Sequence, residues 1–265
     1  MNSVQLWFAS LLFTERDLAQ LESRRWWLSD DELVKVERYR KAEDRQKALF
    51  VRCCLRAVLS HYFPLPPNEW KFEYGDKGKP RLCHTQRLSS GIEFNISHSG
   101  EHLVIAVMKK NHADDVIELG VDIERSRSDI QIASILPHHF TLFEHSELQA
   151  LPSEQQRQRF FDLWVLKESY IKAKGLGLAL SLKSFGFDLV SMVPEHLLVE
   201  GSDIYLECYR GIQLQLLAPS QDGSEWNVFF GRIDDHYRFA VSLNGVGGII
   251  SMEARLFELW SSPFG

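Results

Sequence analysis

Hydrophobic and polar residues alternate strictly between residues 117 and 124, in the segment IELGVDIE. A period of two predicts a β-strand with one apolar face and one acidic face. The apolar face holds Ile117, Leu119, Val121 and Ile123. The other face holds Glu118, Gly120, Asp122 and Glu124. That second face is either solvated or a site for a hard cation, because carboxylates two residues apart on a strand lie about 7 Å from each other and can converge on one ion.

The rest of the chain combines helical and strand patterns. Apolar residues spaced three and four apart predict a helix over residues 31–62. Residues 126–175 are expected to be helical as well, with capping-box spacing at Thr141 and Glu144 and again at Ser153 and Gln156. The second helix of this region can end at Gly175 and Gly177. Short apolar runs predict a first strand at the N-terminus, strands around Asn95 and Asp122, and a series of strands from Phe185 onward. This order predicts an α+β fold with antiparallel sheets and flanking helices, without a clear linker.

Composition excludes several classes of protein. The 265 residues are 45% hydrophobic and 25% charged, which is ordinary for a globular protein, and the net charge of −6 argues against nucleic-acid binding. No apolar run reaches the length of a membrane span, and the N-terminus lacks the features of a signal peptide. Four cysteines show no metal-ligand spacing. We therefore expect a cytoplasmic protein with no membrane or nucleic-acid partner.

Two basic segments stand out within this acidic chain. Residues 35–56 carry eight basic side chains, including Lys35, against three acidic ones. The loop at residues 77–81 has the sequence Lys77-Gly78-Lys79-Pro80-Arg81. Both segments suit an anionic ligand such as a phosphate, which a flexible glycine would let the backbone approach. A solvated helix face and a simple turn are the alternatives.

Glu168 lies in an apolar stripe of the predicted helix FFDLWVLKESYIKAKG, residues 160–175. The stripe is formed by Phe161, Trp164, Glu168 and Ile171. Lys172 is four residues further on, so the two could form an exposed pair worth about 0.2–0.5 kcal/mol. Alternatively, Glu168 points into a site where Lys172 meets an anion. Together with Asp122 and Glu124, Glu168 would complete a carboxylate set suited to Mg2+ and phosphate chemistry.

Three motifs in this order resemble the 4′-phosphopantetheinyl transferases of the Sfp type. They are FNISHS (Phe94 to Ser99), GVDIE (Gly120 to Glu124) and WVLKESYIKAKGLGL (Trp164 to Leu178). The segments GDKGKP and HFTLFE also match, so the resemblance spans roughly residues 35–190. It implies transfer of the phosphopantetheine arm of coenzyme A to a serine of an acyl or peptidyl carrier protein, with release of adenosine 3′,5′-bisphosphate. The implied fold is a monomer of two similar α+β halves, residues 1–117 and 118–265, related by a pseudo-twofold axis with the active site between them.

The resemblance also implies roles for individual residues. Asp122, Glu124 and Glu168 match the family's Mg2+ ligands, and Glu168 is the expected base for the carrier serine. Lys172 matches a lysine that contacts the pyrophosphate. The coenzyme A contacts implied in this way are Lys35, Lys77, Gly78, Lys79, Pro80, Arg81, Asn95, Ser97, His98 and Lys172. Within this set, His98 is expected near the 3′-phosphate.

Two other functions fit the same residues. A Mg2+-dependent hydrolase of pyrophosphates would use the same charges with water as the acceptor. A carrier-protein binding module without catalysis would keep the fold, although every charged site position is filled in this chain. Acceptor dependence separates the hydrolase from the transferase.

Overall fold

The computed structural model describes residues 2–110, 115–217, 225–248 and 250–264. The α-helices in these ranges are α1 (Glu15–Glu22), α2 (Asp30–Glu37), α3 (Ala42–Ser60), α4 (His84–Ser90), α5 (Ile132–His139), α6 (Leu142–Ala150) and α7 (Ser153–Lys174). The strands are β1 (Asn2–Ser10), β2 (Phe72–Tyr74), β3 (Pro80–Leu82), β4 (Ile92–Ser99), β5 (His102–Lys109), β6 (Glu118–Arg125), β7 (Phe185–Asp188), β8 (Val193–Glu200), β9 (Tyr205–Arg210), β10 (Gln213–Leu216), β11 (Asn227–Arg232), β12 (Tyr237–Asn244) and β13 (Ile250–Leu256).

Nine strands form one main sheet in the order β4-β5-β1-β13-β8-β9-β11-β12-β6. Neighbouring strands are antiparallel, except that β13 is parallel to both β1 and β8. Helices flank this sheet, with α3 packing in the core of the first half of the chain and α7 in that of the second. The α+β fold with antiparallel sheets predicted from the sequence is therefore confirmed.

The strands at the two ends of the sheet, β4 and β6, are joined through side chains. The backbone amide of Val121 donates to Asn95 Oδ1 at 2.9 Å, and the hydroxyl of Ser97 donates to Asp122 Oδ1 at 2.7 Å. Three antiparallel strands from the first half of the chain (β4, β5 and β1) thus meet three from the second half (β6, β12 and β11). They meet where β4 contacts β6, and we call this line of contact the seam. The seam brings together the FNISHS and GVDIE motifs.

The helix predicted over residues 31–62 is divided, and the helical region 126–175 contains more helices than its two predicted caps indicate. The segment 31–62 breaks after Glu37, and α3 starts at Ala42. The segment 126–175 contains three helices. The predicted capping box of Thr141 and Glu144 is confirmed at the start of α6. The predicted capping box of Ser153 and Gln156 is wrong, because Pro152 is the N-cap of α7 and its start has no side-chain cap. As predicted, α7 ends at Gly175, which adopts the left-handed conformation (φ 67°).

The last described strand returns to the first half. β13 pairs with β1, and Phe257 and Leu259 beyond it are buried in the core around α3. This long-range pairing was not predicted, and the division at residues 117 and 118 stays a prediction. None of the described helices is long and apolar enough to cross a membrane.

Candidate active site

Helix α7 covers the acidic face of β6. A Cβ atom at Gly120 would overlap the carbonyl oxygen of Ser169 and the backbone nitrogen of Ala173. The glycine therefore lets the helix backbone lie directly on the strand, because any larger residue would push it away. Of the two alternatives for this face, the solvated one does not hold at Gly120 and Asp122, which are both buried. Because Gly120 lets α7 approach β6 closely, the side chain of Lys172 on α7 can reach Asp122 on β6.

Asp122 is the centre of a hydrogen-bonded cluster and is only 3% exposed. Its Oδ1 atom accepts from Lys172 Nζ at 2.6 Å and from Ser97 Oγ at 2.7 Å. Lys172 Nζ also donates to Ser97 Oγ at 2.7 Å. The ion pair of Lys172 is thus made with Asp122 on β6, whereas an exposed pair with Glu168 was the alternative from the sequence. The three motifs that carried the family resemblance contribute one residue each to this cluster.

Two further carboxyl groups are electrostatically coupled to Asp122. Burial and then the charge of Asp122 raise the pKa of Glu124 to about 7. Ser99 Oγ donates to Glu124 Oε2 at 3.3 Å. Burial and then the charge of Asp122 also raise the pKa of Glu168, against the opposing charge of Lys172. Concentrated negative charge in a partly dry site favours binding of a proton or a cation.

Two cavities meet at this cluster. The first has a volume of about 340 Å³ and is lined on one side by Ser97, His98 and Lys172. The second, of about 250 Å³, is lined by Glu168 and again by Lys172. Gly78 and Pro80 of the basic loop line both cavities. Site volumes of about 300–1,000 Å³ are typical for small-molecule ligands.

The remaining predicted site residues are distributed around these cavities. Lys77, Lys79 and Asn95 line the second cavity. Lys35 lines a third, neighbouring cavity of about 490 Å³, where its ammonium lies 3.3 Å from the centre of the Tyr74 ring. Arg81 lies outside the linings of these three cavities and is 3.6 Å from Glu73 Oε2.

His98 faces the first cavity among several cations. Partial burial lowers the pKa of its ring from the ordinary value, and the charges of Lys172, Lys47 and Arg52 lower it further. A ring in a cationic cavity stays neutral at neutral pH, and a bound anion would reverse this effect by favouring its protonation.

Comparisons with known proteins agree with the motifs. A profile described as the 4′-phosphopantetheinyl transferase superfamily matches residues 118–211, and one described as 4′-phosphopantetheinyl transferase, N-terminal, matches residues 18–110. The 4′-phosphopantetheinyl transferase HetI of Nostoc sp. is 34% identical over 178 residues, which cover 67% of this chain and 71% of the relative. The chain belongs to the 4′-phosphopantetheinyl transferase superfamily. The resemblance stated from the sequence is thereby confirmed.

Other members of the superfamily extend the match. The 4′-phosphopantetheinyl transferase Sfp of Bacillus subtilis is 30% identical over 75% of this chain and 83% of its own length. The human L-aminoadipate-semialdehyde dehydrogenase-phosphopantetheinyl transferase is 28% identical over 86% of this chain and 72% of its own length. The similarity to the human relative therefore reaches well beyond the 35–190 region that carried the motifs.

Sequence reasoning missed part of the first cavity of this phosphopantetheinyl transferase. Its wall also contains Tyr39, Arg52, Phe72 and Tyr74. Arg52 belongs to the basic segment that was singled out, so its charge was a usable signal. The aromatic residues carry no such signal, because an aromatic side chain in a helix break or short strand is more often part of a core than of a ligand site.

The donor chemistry of the site fits a hard divalent cation. Among the described residues, no three His, Cys, Asp or Glu side chains are already gathered as a metal site. However, Asp122 Oδ2 is buried and has no hydrogen-bond partner within the described part of the chain. A buried carboxylate oxygen without a partner is costly, and oxygen ligands are what Mg2+ prefers. Asp122 can therefore offer this oxygen to a cation with Glu124 and Glu168 nearby.

Proposed function

We propose that this protein transfers the 4′-phosphopantetheine arm of coenzyme A to a serine of an acyl or peptidyl carrier protein. One observation carries the proposal: in a member of this superfamily, the Asp122–Lys172–Ser97 cluster lies where two cavities meet. Lys172 lines both cavities and can contact a pyrophosphate, while Glu168 provides a carboxylate in the second cavity and His98 lines the first. The products are the holo-carrier protein and adenosine 3′,5′-bisphosphate.

The proposed reaction is a displacement at the pantetheine-side phosphorus of the pyrophosphate. The carrier serine oxygen forms a bond to this phosphorus, and the bond from phosphorus to the bridging oxygen breaks. The leaving electron pair stays on adenosine 3′,5′-bisphosphate. Glu168 takes the serine proton, directly or through a water molecule, and its raised pKa suits a group that must accept a proton near neutral pH. Lys172 shares the negative charge of the pyrophosphate.

Coenzyme A would lie across the first two cavities. Ser97 and His98 bind its nucleotide end in the first cavity, where Arg52 and nearby Lys47 add positive charge. Lys77, Gly78, Pro80 and Asn95 line the path toward Glu168 in the second. Lys35, in the neighbouring third cavity, and Arg81 contribute as peripheral phosphate contacts.

Asp122, Glu124 and Glu168 would hold Mg2+ together with phosphate oxygens. When bound, this ion supplies positive charge that stabilises the pyrophosphate and the leaving phosphate. The unpartnered Oδ2 atom of Asp122 and the raised pKa values of both glutamates support this assignment. We further propose that the protein acts as a monomer and that it works in the cytoplasm. Its four free cysteines support the second proposal, because thiols stay reduced in that compartment.

Intact-mass measurement of an apo-carrier protein tests the function. The carrier is incubated with this protein, coenzyme A and Mg2+, and the expected result is a gain of one phosphopantetheine arm. Controls omit Mg2+ or use a carrier whose acceptor serine is alanine, and neither should gain mass.

The alternative functions give different results in the same assay. Cleavage of coenzyme A without any mass gain across acyl and peptidyl carriers would indicate the pyrophosphate hydrolase. Neither cleavage nor mass gain would contradict catalysis and leave the binding module.

A further inference from the structure

The ammonium group of Lys79 is hydrogen-bonded to the protein backbone. Lys79 Nζ donates to the carbonyl oxygen of Leu119 and to that of Ala173, both at 2.9 Å. Burial lowers the pKa of this amine to about 8. The side chain of Lys77 in the same loop remains exposed. The two lysines of the basic loop are therefore not equivalent, although they look alike in the sequence.

The two carbonyls belong to the elements that carry the candidate catalytic residues. Leu119 lies on β6, three residues before Asp122, and Ala173 follows Lys172 on α7. The carbonyls in the last turn of a helix have no partner within the helix, and a cation there is favourable. Lys79 thus binds both β6 and the end of α7, from a loop that lies before both elements in the chain.

The loop that carries Lys79 is folded into a compact turn. The backbone amide of Gly75 donates to the carbonyl oxygen of Lys79 at 3.0 Å, and that of Gly78 donates to the Gly75 carbonyl at 2.8 Å. Gly78 has a φ of 82°, which favours glycine. Because Gly78 and Pro80 line both cavities, the position of this turn determines how the cavities are bounded.

We propose that Lys79 is a positioning residue that fastens the loop at residues 75–80 to β6 and α7, and so fixes the shared wall of the two cavities. This assignment differs from the phosphate contact that the family resemblance implies. An ammonium that turned toward a phosphate would leave the carbonyls of Leu119 and Ala173 without this donor. The assignment of this wall to the coenzyme A site rests on the proposed function. The tether, which is the pair of hydrogen bonds from Lys79 to the two carbonyls, does not depend on that function.

Hydrogen exchange of the substrate-free protein tests the tether directly. In Lys79→Met, which keeps the aliphatic stem but removes the donors, we expect the amides of Gly75 and Gly78 to exchange about tenfold faster or more. Lys77→Met removes a charge from the same loop and should leave these rates unchanged. Circular dichroism confirms that both variants are folded. Wild-type exchange rates in folded Lys79→Met would overturn the proposal.

Steady-state kinetics and a conservative variant separate positioning from mere stabilisation. Lys79→Met should raise the KM for coenzyme A about tenfold or more with a much smaller change in kcat, because the wall is loosened while Glu168 and Lys172 stay in place. Lys79→Arg can donate to both carbonyls. It should therefore restore slow exchange and lower the KM for coenzyme A most of the way to the wild-type value. A fall in kcat alone would contradict the proposal. If the mass assay shows no transfer by the wild type, the proposed function fails while the exchange result still decides the tether.

Discussion

Lys172 and Asp122 form an ion pair of 2.6 Å between α7 and β6, although they are 50 residues apart in the chain. The ammonium occupies Oδ1, one of the two oxygens through which this carboxylate could bind a metal ion. The other oxygen, Oδ2, is buried and has no partner within the described ranges. Lys172 and a divalent cation therefore compete for the negative charge of Asp122.

Replacing Lys172 should strengthen metal binding while weakening catalysis. Two unit charges about 4 Å apart repel or attract by several kcal/mol at the effective dielectric of a protein surface. We therefore expect Lys172→Met to bind Mg2+ at least about tenfold more tightly in the absence of coenzyme A, as measured by calorimetry. Its transfer activity should fall severely, because the pyrophosphate loses a cation.

Lys174→Met is the matched control for this experiment. Lys174 lies on the same helix and pairs with Glu118 of the same strand at 2.9 Å, but it does not contact Asp122. The variant has the same loss of charge, so its Mg2+ affinity should stay close to that of the wild type. An equal gain in Mg2+ affinity in both variants would show that the overall charge decides the affinity. It would contradict the competition between Lys172 and the metal ion for Asp122.

Glu168→Gln should abolish transfer without unfolding the protein. The pKa of Glu168 is raised by burial and by Asp122, so its ionised form destabilises the folded state at neutral pH. An uncharged glutamine removes this cost. We expect the midpoint of thermal unfolding at pH 7 without metal to equal or exceed that of the wild type, while the intact-mass assay shows no product. Transfer at the wild-type rate would contradict the role of Glu168 as base and metal ligand.

Gly120→Ala should destabilise the protein and disturb its site. The new Cβ would meet backbone atoms of Ser169 and Ala173, which cannot move like the end of a flexible side chain. Overpacking of this kind costs about 1–3 kcal/mol, measured as the free energy of unfolding in urea. The displaced helix should also reduce transfer by the protein that remains folded. Gly247→Ala is the control, since a Cβ there meets nothing within 4 Å; an equal loss in both would refute the packing argument.

The buried amine of Lys79 predicts a pH dependence of stability. Its pKa is about 8 in the folded protein and near the ordinary lysine value of about 10.5 when unfolded. Between these pH values Lys79 binds more protons in the unfolded chain than in the folded protein. Its contribution to the free energy of unfolding therefore increases as the pH rises. The stability of the wild type relative to Lys79→Met should therefore increase from pH 8 to pH 10.5. A constant or falling difference, measured by urea unfolding, would show that the amine is not desolvated.

Local patterns predicted the elements of the site better than their contacts. Strict alternation identified β6, and the motifs located Asp122, Glu168 and Lys172. The pairing of Lys172 with Asp122 was not predicted, because the neighbour visible in the sequence was Glu168, four residues away. The break between α2 and α3 was also missed, since residues 38–41 contain no proline or glycine to mark it. The anchoring of Lys79 depends on two backbone carbonyls, which a sequence pattern cannot distinguish.

The parallel pairing of β13 with β1 sets a constraint on how the chain can acquire its structure. Val4 lies opposite Met252, so one edge of the first strand has no partner until residues far along the chain have been made. Synthesis proceeds from the N-terminus, and pairings between distant residues close slowly. The pairing of β1 therefore cannot be completed before β13 has left the ribosome. Until then, the open edge of β1 must be protected from aggregation.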